Sequence, residues 1–285
     1  MSAVLTDEVV TARPLLDPEG LRFSRLKLFA ESPMHYLANV NGRSPTLDKG
    51  TAVHSILLGG QRVIYYDGKV KPTKDNPNPT KIGPRNGAQW EEFKAKNSDA
   101  KILALDEYET AHRIADAVRS NELAMMALTG VQEQTLRFEW QGLQARTTPD
   151  CRANDHTFVT ELKTCRSSRP GRFSTQAFWM YYHAQMAFHI EGMKANGLVK
   201  RGQMPTAYIV AVCSAEPYPV TVFKLTDKAL EQGRKSLILW TEQLRGCIES
   251  RHFPAYSQAI VDLDVPEGDE LVFADGETES VEVPF

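Results

Sequence analysis

Asp150 and the triplet Glu161-Leu162-Lys163 are the residues whose types and spacing could do chemistry in this chain. On a strand, side chains two apart share a face, so Glu161 and Lys163 point one way while Leu162 and Phe158 point into a core. The segment from Cys151 to Thr160 has room for a turn and a return strand. An Asp150 ending the preceding strand would then bring two carboxylates and one amine together. Such a set holds a hard divalent ion and activates a water against a phosphodiester. The pattern is loose, and a solvated surface strand with an acid–lysine pair is its usual explanation, so its surroundings must decide.

At 285 residues and 42% hydrophobic, the chain has material for one sizeable core. No apolar run approaches membrane-spanning length, and the N-terminus has an acidic pair and no long apolar stretch, unlike a secretory signal. Cys151, Cys165, Cys213 and Cys247 are dispersed, which suits a reducing cytoplasm and gives no zinc or iron–sulfur framework. The net charge is −3, yet residues 261–285 hold nine acids and no Lys or Arg, which leaves +6 over residues 1–260. Where charge sits matters more than its sum for attraction to nucleic acid. The acidic tail reads as a solvated terminus, an edge that meets a partner subunit, or a mimic guarding a basic groove.

The elements that must position the motif follow from periodicity. Residues 1–20 read as a flexible N-terminus and 21–260 as a single domain. Within it, 21–130 is a mainly helical elaboration, 131–225 the sheet and helix bearing the motif, and 226–252 a C-terminal helix; 261–285 is the acidic tail. Leu21 to His35 suggests a short helix capped by Ser24 and broken near Pro33. In GTAVHSILLGG, Gly50, Val53, His54, Leu57 and Leu58 share one helical face, so His54 points inward, as a core histidine or a site residue. Residues 67–89 form a Pro/Asn/Gly/Lys-rich loop with Lys69, Lys71, Lys74, Lys81 and Arg85. It is either a solvated loop or an arm contacting phosphates. Helices are expected around Gln89–Lys96 and Asp106–Ser120. Strands follow at 136–140, 143–150 and 156–164, then a long helix over 173–193, strands at 207–213 and 220–225, and a helix opened by Asp227. This is α/β (α+β) architecture around one mixed sheet flanked by helices.

Between Leu162 and Ile190 there is no Asp or Glu, while Lys163, Arg166, Arg169 and Arg172 lie there with Phe178, Trp179, Tyr181 and Tyr182. A cationic turn after the motif strand would sit beside a phosphate. The aromatics either stack bases or wedge a strand end, or they form helix core. Gln185 and His189 are four apart and share a helix face.

Several local patterns stand in one order: S-P-x-H-Y at Ser32–Tyr36, L-x-x-G-T-A-V-H at Leu47–His54, and R-N-G-x-x-W-E-x-F at Arg85–Phe93. R-T-T-P-D at Arg146–Asp150, then ELKT, then Y-H-x-Q-x-A-F at Tyr182–Phe188 complete the series. Together they resemble the RecB-type branch of the PD-(D/E)XK nuclease superfamily, and more narrowly the RecE-like exonuclease VIII catalytic domain, over residues about 21–225. The resemblance implies a restriction-endonuclease-like core.

It implies that His54 approaches the metal, that Asp150 and Glu161 are metal ligands, and that the Leu162 backbone carbonyl completes the shell. Lys163 would position or deprotonate the attacking water and neutralise transition-state charge; beside two carboxylates it stays cationic, which favours orientation over proton abstraction. Glu133 is a further metal-ligand candidate and Gln185 the motif-III glutamine. His189 stands where the family usually has an aromatic, a departure that bears on stacking or a phosphate contact. DNA-binding candidates are Arg85, Arg146, Arg166, Arg169, Arg172, Tyr182 and His189. The implied cofactor is Mg²⁺, with Mn²⁺ substituting, at one or two ions per site. The implied activity is 5′ to 3′ exonucleolytic digestion of linear double-stranded DNA, leaving 3′ single-stranded tails for recombination. Implied partners are duplex ends, a single-strand annealing protein or recombinase, and further copies of the chain in a ring, with no membrane. An endonuclease or a Cas4-like nuclease is the alternative enzyme, although the latter's four-cysteine cluster is not matched by these cysteine spacings. A non-catalytic DNA-binding recombination scaffold is the alternative outside catalysis.

Overall fold

The computed structural model of the protein describes residues 15–38, 45–68, 83, 85–257, 259–262, 270–272 and 278–280. The expectations for Lys69, Lys71, Lys74 and Lys81, for the first fourteen residues and for most of the acidic tail lie outside the described residues.

The N-terminal part runs α1 (Phe23–Leu26), a 3₁₀ turn (Lys27–Ala30), α2 (Pro33–Ala38), α3 (Pro45–Leu58), β1 (Arg62–Tyr65), α4 (Gly87–Lys96), β2 (Ala100–Leu103), α5 (Leu105–Arg119) and α6 (Glu122–Ala127). Then come β3 (Val131–Gln132), β4 (Leu136–Trp140), β5 (Leu143–Thr147), β6 (Cys151–Arg152) and β7 (Phe158–Cys165). They are followed by α7 (Pro170–Trp179), α8 (Tyr182–Ala195), β8 (Thr206–Cys213), β9 (Val220–Lys224) and α9 (Asp227–Ser250). Glu270–Val272 and Thr278–Ser280 pair as a short antiparallel ribbon.

The central sheet has the order β3-β6-β7-β8-β9 and is mixed: β7 and β8 are parallel, and the other neighbours are antiparallel. β8 is buried almost throughout, because helices cover both faces of the sheet. Leu162, Val210 and Val212 face Ala52, Val53 and Ile114 of the N-terminal helices. Val159, Ile209 and Ala211 face Phe173, Met186 and Ile190 of α7 and α8. A third cluster joins β4 and β5 to α1, α8 and α9 through Phe138, Trp140, Phe188 and Trp240.

Four expectations need correction. The strands do not all join one sheet: among the described residues, β4 and β5 form their own hairpin, separated from β6 by Thr148-Pro149-Asp150. Pro149 has no N–H to donate and ends the ladder there. The helix over 173–193 is two helices, because Tyr181 adopts a left-handed conformation (φ 58°) between α7 and α8. Ser24 lies inside α1, and Arg22 precedes that helix without a side-chain cap. The parallel pair β1–β2 interrupts a region read as helix and loop; each strand has only four residues, too short for its alternation to stand out.

Gly233 of α9 is where helix crosses helix: a Cβ there would lie 2.4 Å from the His183 carbonyl oxygen of α8. Among the described residues, no helix is long and apolar enough to cross a membrane. Gly233→Ala is expected to cost about 1–3 kcal/mol through overpacking; urea denaturation of the two proteins measures it.

Candidate active site

β6 is two residues long and on its β7 side covers only Val159 and Thr160. Beyond Thr160, that edge of β7 has no strand neighbour among the described residues, yet its backbone groups still need partners. Asp150, in the bend just before β6, supplies one: its Oδ2 accepts the Leu162 N–H at 2.6 Å. His54 supplies the other, its Nε2–H donating to the Leu162 carbonyl at 2.9 Å. The His54 Nδ1 lies 3.5 Å from Asp150 Oδ1.

α3 can bring His54 this close because Gly50, one turn earlier, has no side chain; a Cβ there would lie 2.9 Å from Thr164 Oγ1 of β7. Burial works against the His54 imidazolium, but Asp150, by hydrogen bond and charge, and the charge of Glu161 together raise its pKa above the usual histidine value.

Glu161 and Lys163 share a face, as period-two geometry requires, and Lys163 Nζ donates to Glu161 Oε1 at 2.9 Å. Gln185 Nε2 donates to the same oxygen at 2.5 Å, and His189 Nε2 lies 3.1 Å from Oε2. Burial alone would raise the Glu161 pKa, but the Lys163 charge and the His189 contact hold the carboxyl well below the usual range. Burial likewise opposes the Lys163 charge, and Glu161 and Asp150 outweigh it, raising the ammonium's pKa. The two partners' shifts agree in direction: an ionised acid beside a cationic lysine. The Lys163 ammonium also sits 4.8 Å from the centre of the Tyr182 ring.

The structure thus brings together His54, Asp150, Glu161, the Leu162 carbonyl, Lys163, Gln185, Tyr182 and His189. Glu133 stands at the rim: its backbone N–H donates to the Asp150 carbonyl at 3.2 Å, and its side chain is exposed. Partial desolvation of its carboxyl and the Asp150 charge raise the Glu133 pKa.

The other DNA-binding candidates are placed differently. Arg146 points to the face of β5 opposite Thr147 and pairs with Glu19 at 2.5 Å and Asp17 at 3.6 Å, which turns it to the N-terminal segment and away from the site. Arg85 reaches Glu107 at 4.0 Å. Arg166, Arg169 and Arg172 are exposed on the turn after β7 and the start of α7. His189 is 3% exposed and Tyr182 9%, so neither offers a free stacking face. The exposed aromatics of this region are Phe178 at 57% and Trp179 at 69%.

Sequence reasoning missed two residues. Thr147 Oγ1 lies 2.6 Å from His189 Nδ1. Lys27 is close enough to feel the Lys163 charge, which adds to burial in lowering its ammonium's pKa. Neither follows from spacing, since both contacts come from tertiary packing. The four cysteines are buried and free, and burial pushes the Cys165 thiol up to about 12.

Two carboxylates and a carbonyl are hard oxygen donors, the chemistry a divalent ion such as Mg²⁺ or Ca²⁺ takes. Among the described residues, no three His, Cys, Asp or Glu side chains cluster as a ready metal cage. An ion held by one or two carboxylates and completed by water fits this donor set; Asp150, Glu161 and the Leu162 carbonyl would hold it.

A family model described as "PDDEXK-like domain of unknown function (DUF3799)" matches residues 22–262. The chain belongs to this PDDEXK-like family. Its matched segment spans every residue of the site, from Lys27 to His189. A solved structure from Eubacterium rectale, named "Putative exonuclease", shares 14% identity and superposes with a TM-score of 0.58, covering 87% of this chain and 91% of that one. At that identity the likeness is one of fold. A second structure, SSO0001, shares 11% identity over 60% of this chain and 81% of its own, with a TM-score of 0.27. No curated protein matches the sequence.

Glu161 gives a pH dependence with a definite sign. Its folded pKa is depressed, so its contribution to stability is complete above the unfolded carboxylate's pKa of about 4.3 and is lost as pH falls below that. Metal-free Glu161→Gln is expected to show a flatter stability–pH curve than wild type below about pH 4.5. Urea midpoints measured across that range check this.

Proposed function

We propose that the protein is a metal-dependent exodeoxyribonuclease acting on the ends of linear double-stranded DNA, 5′ to 3′, leaving 3′ single-stranded tails for recombination. The observation that carries the reading is the juxtaposition at β7. A buried ionised carboxylate and a cationic lysine lie side by side, and Asp150 reads the next backbone amide. Membership of a PDDEXK-like family supports nuclease chemistry. The Eubacterium rectale neighbour, named an exonuclease, supports that activity, and the RecE-like motif order supports the polarity and the recombination role.

In the proposed reaction a water oxygen forms a bond to phosphorus, and the bond from phosphorus to the leaving sugar oxygen breaks. The water's proton passes to solvent and the leaving oxygen gains one. Lys163, cationic beside Glu161, orients the water and stabilises charge on the phosphoryl oxygens. Gln185 and His189 hold the Glu161 carboxylate, and Asp150 and His54 hold the backbone on which the site is built. A bound Mg²⁺ or Mn²⁺, one or two per site, would polarise the phosphoryl group and lower the pKa of water. Arg166, Arg169 and Arg172 suit phosphate contacts outside the reacting centre. A ring of several copies around the duplex, a partner annealing protein or recombinase, and a cytoplasmic setting belong to the same proposal.

Linear duplex labelled separately at each 5′ and 3′ end tests it. With Mg²⁺, the 5′ label is expected to be released first, with closed circles untouched. Lys163→Ala should lower the rate by at least about a hundredfold while duplex binding stays measurable. Wild-type cleavage of circles contradicts the exonuclease, and full activity in Lys163→Ala contradicts the site.

A further inference from the structure

Glu161 is held from two sides by different parts of the fold. Lys163 and Gln185 take Oε1. His189 takes Oε2 at 3.1 Å, and behind it Thr147 meets the His189 Nδ1 at 2.6 Å. All three members of this line are buried: Thr147 at 5%, His189 at 3% and Glu161 at 6% exposure. Thr147 belongs to the β4–β5 hairpin, which is not part of the central sheet. The line therefore runs from the hairpin, through α8, to the strand that carries the reacting groups.

The proton positions follow from the acceptor at one end. An ionised carboxylate has no hydrogen to give, so His189 Nε2 carries the proton and donates to Glu161. On the other side of the ring the Thr147 hydroxyl meets Nδ1 at 2.6 Å. The imidazole is thus held at both nitrogens. The approach is permitted by Gly192, on the same helix three residues on, where a Cβ would lie 2.7 Å from the Thr147 methyl.

We propose that Thr147 and His189 are positioning residues for Glu161: the Thr147 hydroxyl holds the His189 ring in place, and His189 fixes the carboxylate in its ligating orientation. The inference rests on reading Glu161 as a metal ligand in a nuclease. A phenylalanine at 189 would fill space without holding Oε2, so the relay gives the histidine at this position a physical role.

The test compares Thr147→Val, which keeps shape and loses the hydroxyl, with Thr147→Ser, which keeps the hydroxyl, each in wild-type and His189→Phe backgrounds. Metal-free protein labelled with ¹⁵N reports the hydrogen bond at His189 Nδ1 by its ring nitrogen shifts. The Nδ1 shift is expected to match wild type in Thr147→Ser and to move away from it in Thr147→Val. Calorimetry with Mn²⁺ alone should show affinity falling about tenfold in Thr147→Val and staying within about twofold in Thr147→Ser. DNA cleavage should lose kcat by a similar factor with KM little changed, and the valine effect should vanish in the His189→Phe background.

An unchanged Nδ1 shift in Thr147→Val overturns the relay, as does a serine variant as impaired as the valine or a valine effect that persists without His189. A wild-type protein that binds Mn²⁺ yet cleaves no DNA would sink the nuclease reading alone. The Nδ1 shift and the metal affinity would still judge the relay.

Discussion

The site depends on a strand edge that loses its neighbour. β6 leaves β7 after Thr160, and the Leu162 N–H and C=O then face a gap. Buried backbone groups of this kind are costly without partners. Side chains take the place of a strand: the Asp150 carboxylate accepts the N–H and His54 donates to the carbonyl. Satisfying the edge thus places a carboxylate and an imidazole beside the residue that separates Glu161 from Lys163. The residues that complete the sheet are the residues that make the site.

The rest of the fold serves this arrangement. Gly50 lets α3 lie against β7 and deliver His54. The break at Tyr181 turns the chain so that α8 starts at Tyr182, whose ring carries the Lys163 ammonium, and runs with Gln185 and His189 facing Glu161. A buried acid and a buried lysine each oppose desolvation, and each is kept charged chiefly by the other. Removing one partner would leave the other charge uncompensated, which ties the local stability of the strand to both residues.

Much of this was legible in the residues themselves. Period-two alternation put Glu161 and Lys163 on one face, and helical spacing put His54 on an inward face. The gap between Cys151 and Thr160 fits the antiparallel return in which Cys151 pairs with Thr160. What stayed hidden depends on contacts between distant segments. Nothing local tells that Arg146 pairs with Asp17 and Glu19, or that Thr147 beside it reaches His189. The alternation in β4 and β5 marks strands but not which sheet they join. The left-handed residue at Tyr181 hides inside an otherwise helical pattern, because tyrosine carries no signal for that conformation.

The most direct measurement is a crystal of the metal-free protein soaked in Mn²⁺, with anomalous diffraction used to locate the ion. The account predicts a peak contacted by the Asp150 and Glu161 carboxylates and the Leu162 carbonyl oxygen. A peak at some other set of residues, or none there in a crystal whose protein is active with Mn²⁺, would contradict it.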